Sequence, residues 1–433
     1  MCASHGFAPN KGDVGMGSPI STPTRRRPHR GRRIAAGIVI TCGSMAAVFG
    51  GSTVQAQAAS PGVGTPTVVA VGDSYISGEA GRWAGNSNNG ESFIDALGST
   101  AYFDNAANTA ETINRCHRSK SDEAYIGGGV AGLDLACSGA KTSTFFDSSG
   151  NFKPGLDFYS DSSGNEGQAL LLQQYASTHN VTMVQLSIGG NNFNFASIVQ
   201  SCVTDFLTSP SWWPHYCNSD SSVTSNFTPS NVSAQTNAIV GALRNIRTAM
   251  SNAGYTDSMY AIVAQTYPSP VPNGSGFRYS QSGFTRQSTG GCGFWNADAN
   301  WANGSALTTI NASVTTAVAA VGATNVKVMD LSSAFNGRRL CENTVGLIEE
   351  KGLSGWRAPG AVDQTEWINQ IRTVSTIGSD YYIQESIHPN YWGQLAMRDC
   401  VRQAYNGGSP RGGTCTIAAN GLDSQGEPNM LLH

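Results

Sequence analysis

Between residues 67 and 405, short apolar runs alternate with longer segments in which apolar residues recur every three or four positions. The runs are 67–71 (TVVAV), 132–136 (GLDLA), 182–188 (TMVQLSI), 258–265 (SMYAIVAQ) and 326–331 (VKVMDL). Near-continuous apolar character, bounded by Gly and Pro, predicts strands buried on both faces. The intervening segments predict helices at 166–179, 233–253, 306–321 and 390–405. In the second of these, Ile239, Leu243, Ile246 and Met250 fall on one helical face. Strands alternating with helices predict an α/β fold, a three-layer α/β/α sandwich around a parallel sheet of about five strands. Polar stretches at 83–112, 141–165, 200–232 and 267–300 read as insertions. The organisation expected is a linker at 59–66, one domain over 67–420 and a C-terminal tail at 421–433, the end of a Gly-rich stretch over 406–433 that Cys415 ties down near its start.

The first 58 residues do not share this pattern. Arg25, Arg26, Arg27, Arg30, Arg32 and Arg33 precede an apolar stretch from Ile34 to Gly50, and Ala56-Gln57-Ala58 follows. A basic segment, an apolar segment and an A-x-A site make a secretory signal peptide over 1–58. Four glycines in and beside the stretch (Gly37, Gly43, Gly50 and Gly51) speak against a membrane anchor. Arg32-Arg33 leaves general or twin-arginine export open. Without the seven basic and one acidic residues of this segment, 19 basic and 28 acidic residues remain, a net charge of −9. So acidic a body is a poor partner for nucleic acid or an anionic membrane surface, both of which require clustered Lys and Arg. The protein is expected to be secreted and extracellular, a monomer, with no stable membrane anchor.

Cysteine usage agrees with export. Beyond Cys2 and Cys42, eight cysteines remain: Cys116, Cys137, Cys202, Cys217, Cys292, Cys341, Cys400 and Cys415. An even number after a signal peptide reads as disulfides. Connectivity is open, and sequential pairs are favoured because each closes a local loop. No pair has C-x-x-C spacing and histidines are not clustered nearby, so no metal is expected.

Reactive groups of a parallel α/β sheet collect beyond the carboxyl ends of its strands, and four blocks stand there. Gly72-Asp73-Ser74 follows the first strand and can expose a serine hydroxyl, although the same tripeptide is ordinary turn chemistry. Cys137-Ser138-Gly139 follows the second, where a glycine lets backbone approach a reacting centre. Gly189-Gly190-Asn191-Asn192 follows the third, and an Asn amide there can donate to a developing oxyanion. Glu385-Ser386-Ile387-His388-Pro389-Asn390 opens the last helix and carries the group best suited to act as a base near neutral pH.

In this order the four blocks resemble those of the GDSL/SGNH hydrolase family. The segments Gly72-Asp-Ser-Tyr-Ile-Ser-Gly-Glu79, Cys116-His-Arg-Ser119 and Glu385-Ser-Ile-His-Pro-Asn390 are similar to secreted actinobacterial lipases and esterases of that class. The resemblance spans residues 67–405 and implies a flavodoxin-like fold and ester hydrolysis without metal or organic cofactor. It implies Ser74 as nucleophile, His388 as general base, and an oxyanion hole made by the backbone N–H groups of Ser74 and Gly139 with the Asn191 side chain. Glu385 stands three residues before His388, where the family has Asp, and is expected to orient the imidazole; a backbone carbonyl does this in some relatives. Asp73 is expected to fix the turn, and Asn192 is given no catalytic role. Trp83, Trp212, Trp213 and Tyr216 lie in insertions and could line an acyl or glycone pocket. The expected partner is a small-molecule or lipid ester. A carbohydrate acetylesterase or phospholipase on the same scaffold, or a catalytically idle glycan-binding protein, are the alternative readings.

Overall fold

The structure is a computed structural model that describes residues 61–372 and 383–433. The signal peptide expected at 1–58 lies outside these residues. Seven strands form the main sheet: β1 (Pro66–Gly72), β2 (Ala131–Asp134), β3 (Asn180–Ser187), β4 (Ala261–Gln265), β5 (Val326–Asp330), β6 (Gly413–Leu422) and β7 (Pro428–Leu432). Their order is β2-β1-β3-β4-β5-β6-β7. All pair in parallel except β6 with β7, which form an antiparallel edge.

Alternation along β1 shows why the sheet is covered twice. Val68 and Ala70 enter one apolar cluster and Val69 and Val71 the other, all fully buried. Burying a Val side chain contributes about 1.5–3 kcal/mol, so both faces favour this strand. One face packs against α1 (Gln168–Ala176), α3 (Pro229–Asn252) and α4 (Thr308–Val321) through Leu172, Ile239, Leu243, Ile246, Met250 and Val314. The other packs against α2 (Phe195–Thr208) and α5 (Tyr391–Tyr405) through Ile198, Val203, Leu395 and Met397.

Two expectations need correction. Residues 421–433 are not a tail: they complete β6 and form β7, with Cys415 opposite Leu432 and Leu422 opposite Pro428. Pairing through Met329–Gly413 and Asp330–Thr414 gives β5 a neighbour, so its backbone groups are not left at an open edge. The insertion at 200–232 contains most of α2, whose Ile198, Cys202, Val203 and Phe206 are buried at helical spacing. The helical run Asn296–Val321 is long and apolar enough to cross a membrane by length and composition. Here its Ile310, Val314 and Ala317 are buried in the molecule's own core.

Four disulfides close the loops Cys116–Cys137, Cys202–Cys217, Cys292–Cys341 and Cys400–Cys415. They fit an oxidising compartment.

Candidate active site

Gly72 ends β1 with φ +135°, and a Cβ there would lie 1.9 Å from the Ser187 carbonyl oxygen. Only glycine allows β1 and β3 to approach this closely. The Gln168 side chain at the start of α1 brackets the residue. Its Oε1 accepts the Gly72 N–H at 2.7 Å, and its Nε2 donates to the Gly72 carbonyl at 2.9 Å. The chain then turns. Asp73 N–H donates to Ser187 at 2.9 Å, and Asp73 Oδ1 accepts the Tyr75 N–H at 3.2 Å. The Tyr267 hydroxyl donates to Asp73 Oδ2 and accepts the Gly190 N–H at 2.9 Å. Asp73 and Tyr267 thus tie the turn after β1 to the turn after β3. Burial pushes the Asp73 carboxyl up to about 7, with the bonds from Tyr267 and Tyr75 opposing the rise.

Ser74 Oγ lies 2.7 Å from His388 Nε2. His388 Nδ1 lies 3.0 Å from the Ser386 carbonyl oxygen. A carbonyl can only accept, so Nδ1 carries the ring proton and Nε2 presents its lone pair to the serine hydroxyl. Burial lowers the imidazole pKa, with the negative charge of Glu79 opposing, which keeps the ring neutral and able to take a proton. The ring is set two residues before the cap of α5, where Asn390 Oδ1 accepts the N–H groups of Trp392 and Gly393 at 3.1 and 3.3 Å. Ile387, immediately before it, adopts φ +61° and accepts a hydrogen bond from Tyr75 at 3.0 Å. A β-branched residue in this region is strained by about 1–3 kcal/mol and persists because its surroundings hold it.

Gly139, Ser74 and Asn191 follow β2, β1 and β3, which are adjacent in the sheet. Cys137 N–H donates to the Gly72 carbonyl at 3.1 Å, which docks the Gly139 loop against the end of β1. Among the described residues the N–H groups of Ser74 and Gly139 donate to no protein acceptor. Asn191 Nδ2 donates one hydrogen to the Ala140 carbonyl at 3.0 Å and keeps the other. The chain resembles the GDSL/SGNH hydrolases.

The site departs from expectation at Glu385. Its carboxylate does not meet His388: Trp83 Nε1 donates to one oxygen at 2.9 Å and the Tyr102 hydroxyl to the other. The left-handed Ile387 turns the chain so that the carbonyl of residue 386, and not the side chain of residue 385, faces the ring. Burial and the charge of Glu79 raise the Glu385 carboxyl to about 7, against the bonds from Tyr102 and Trp83. The aromatic residues of the insertions take different settings. Trp83 is fully buried as that hydrogen-bond donor, Trp212 and Trp213 are 80% and 75% exposed, and Tyr216 packs edge-on against Trp295.

Sequence reasoning passed over Glu79 and His117, although both lie in quoted motifs. His117 Nδ1 meets Glu79 Oε1 at 2.7 Å, both buried, and the ring stacks on Tyr102 with centroids 4.4 Å apart. Gln384 Nε2 donates to Glu79 Oε2 at 3.0 Å. Burial alone would raise the Glu79 carboxyl, yet His117 holds it at about 2. Glu79, His117 and Glu385 have ligand-type atoms within 4.8 Å of one another. Glu79 and His117 form a buried ion pair, and Tyr102, stacked on the His117 ring, joins Trp83 in donating to Glu385.

No protein-family model matches the sequence, and comparison with curated proteins gives no match. Among solved structures the chain is similar to the extracellular lipase of Streptomyces rimosus, at 18% identity over 79% of this chain and 100% of that one, with a TM-score of 0.41. It is similar to phospholipase A1 of Streptomyces albidoflavus NA297, at 19% identity over 79% and 99%, with a TM-score of 0.40. A carbohydrate acetylesterase from Sinorhizobium meliloti matches at 9% identity over 61% and 84%, with a TM-score of 0.26.

Proposed function

We propose that the protein is a secreted serine ester hydrolase that works through an acyl-enzyme on Ser74. The observation that carries this reading is the 2.7 Å contact from His388 Nε2 to Ser74 Oγ, with the ring's other nitrogen on a carbonyl. Ser74 Oγ attacks the ester carbonyl carbon while His388 Nε2 takes the hydroxyl proton. The tetrahedral oxyanion is stabilised by the N–H groups of Ser74 and Gly139 and by the spare Asn191 amide hydrogen. Collapse breaks the bond to the leaving alcohol, which receives the proton from His388. Water, deprotonated by the same nitrogen, then releases the acid and restores Ser74. The carboxylate of Asp73 faces Tyr75 and Tyr267 and takes no part in proton transfer.

An active-site fluorophosphonate tests the reading. Stoichiometric labelling of Ser74, lost in Ser74→Ala and accompanied by turnover of p-nitrophenyl esters, is the expected result. A folded protein that neither labels nor hydrolyses any ester from acetate to palmitate would be an idle binding scaffold.

A further inference from the structure

A cavity of about 670 Å³ opens at the β2 edge of the sheet, and neither Ser74 nor His388 lines it. Three half-buried rings, Phe103, Tyr125 and Phe152, face it together with the carboxyl groups of Asp104, Asp134 and Glu166. Asp134 is only 5% exposed; its Oδ1 accepts the Ala136 N–H at 2.8 Å, while its Oδ2 has no partner. Burial and the neighbouring Asp122 raise this carboxyl well above its ordinary range. An unpaired, buried carboxyl oxygen thus stands in the cavity wall.

The guanidinium at the cavity is committed. Arg118 donates to the carbonyls of Ala136 and Leu135 at 2.7 and 2.8 Å and approaches Asp104 at 3.4 Å. The Lys120 ammonium sits 5.2 Å from the centre of the Tyr125 ring. A phosphate or carboxylate ligand would meet acidic groups without a free guanidinium fork. A neutral ligand with many hydroxyls and apolar C–H faces suits the rings and the buried acid together. We propose that this cavity binds a neutral oligosaccharide. Its walls are also those of the Gly139 loop, since Asp134 and Arg118 hold the backbone of residues 135 and 136. On the hydrolase reading, the cavity anchors the glycan part of an ester-bearing substrate; binding itself does not depend on that reading.

Calorimetric titration of the Ser74→Ala protein with xylohexaose, cellohexaose, mannohexaose and chitohexaose tests the proposal. At least one is expected to bind in the micromolar to millimolar range. The double substitution Phe103→Ala/Phe152→Ala should weaken that binding at least tenfold. With Ser74 intact, the same double substitution should leave p-nitrophenyl acetate turnover within twofold. Asp134→Ala should weaken binding similarly, whereas Asp134→Asn, which keeps one acceptor and one donor, should retain it. If Asp134→Ala fails to fold, the ring variant decides alone. Absence of binding to all four hexaoses, binding unchanged in the ring variant, or binding of glycerophosphocholine in their place would overturn the proposal. Because the titration uses a protein without the nucleophile, its failure is distinguishable from failure of the hydrolase reading.

Discussion

His388 Nδ1 faces a neutral carbonyl, so an imidazolium formed at this ring has no carboxylate in contact with it. Glu385→Gln is therefore expected to cost less than tenfold in kcat, under ~1.4 kcal/mol, and steady-state rates on one p-nitrophenyl ester check it. A loss of a thousandfold would restore Glu385 as an acid acting on His388. The same substitution has a pH signature. The folded-state carboxyl is raised from 4.5 to about 7, so between these values the folded protein holds a proton that the unfolded chain has lost. Stability then falls as pH rises through that window, by up to roughly 3 kcal/mol at ~1.4 kcal/mol per unit. Denaturant titrations at pH 4.5 and 7.5 should show a smaller fall in Glu385→Gln. Asn191→Ala should lower kcat by ~10²–10³ if its free amide hydrogen reaches the oxyanion. An unchanged kcat would remove Asn191 from the hole and leave the assignments of Ser74 and His388 standing.

Among the elements, α5 matters most to the site because its first turn holds the loop that carries His388. Asn390 caps it with two N–H bonds and also donates to the Glu366 carbonyl at 2.7 Å. Asn390→Ala should destabilise the protein by ~1–2 kcal/mol, read from the denaturation midpoint, and should lower kcat as His388 loses its fixed approach to Ser74. Much of this scale was legible beforehand. Strands β1 and β3 follow from apolar runs between turn residues, and α3 from the spacing of Ile239, Leu243, Ile246 and Met250. Helix α2 was not legible, because its buried positions lie among Ser, Thr and Gln next to a loop rich in Gly and Asn. The run at 258–265 read as one strand, yet Ser258, Met259 and Tyr260 precede β4, because pairing with β3 begins only at Ala261.

The whole molecule is braced by covalent closure. Cys292–Cys341 spans 49 residues, for which chain entropy predicts ~4 kcal/mol, against ~3 kcal/mol for the 15-residue separations of Cys202–Cys217 and Cys400–Cys415. Replacing Cys292 and Cys341 together by Ser should lower the thermal midpoint more than replacing either shorter pair, measured by calorimetry under one buffer. Equal shifts would mean that local packing outweighs loop length.

Hydrophobic periodicity and turn residues at strand ends were enough to determine a parallel α/β sandwich with Ser74, Gly139 and Asn191 after its strands and His388 just before its last long helix. Those features are local, and local rules of period and turn chemistry act on them directly. Only tertiary structure decided which atom orients His388, because a three-residue spacing does not reveal that Ile387 is left-handed. It also decided that Glu79 meets His117, that Tyr267 joins two turns, that Gly413 and Thr414 pair with β5, and that β7 pairs back on β6. Each of these contacts joins segments whose partners are chosen by burial and by backbone groups left unpaired elsewhere in the fold, and neither is written in the order of neighbouring residues.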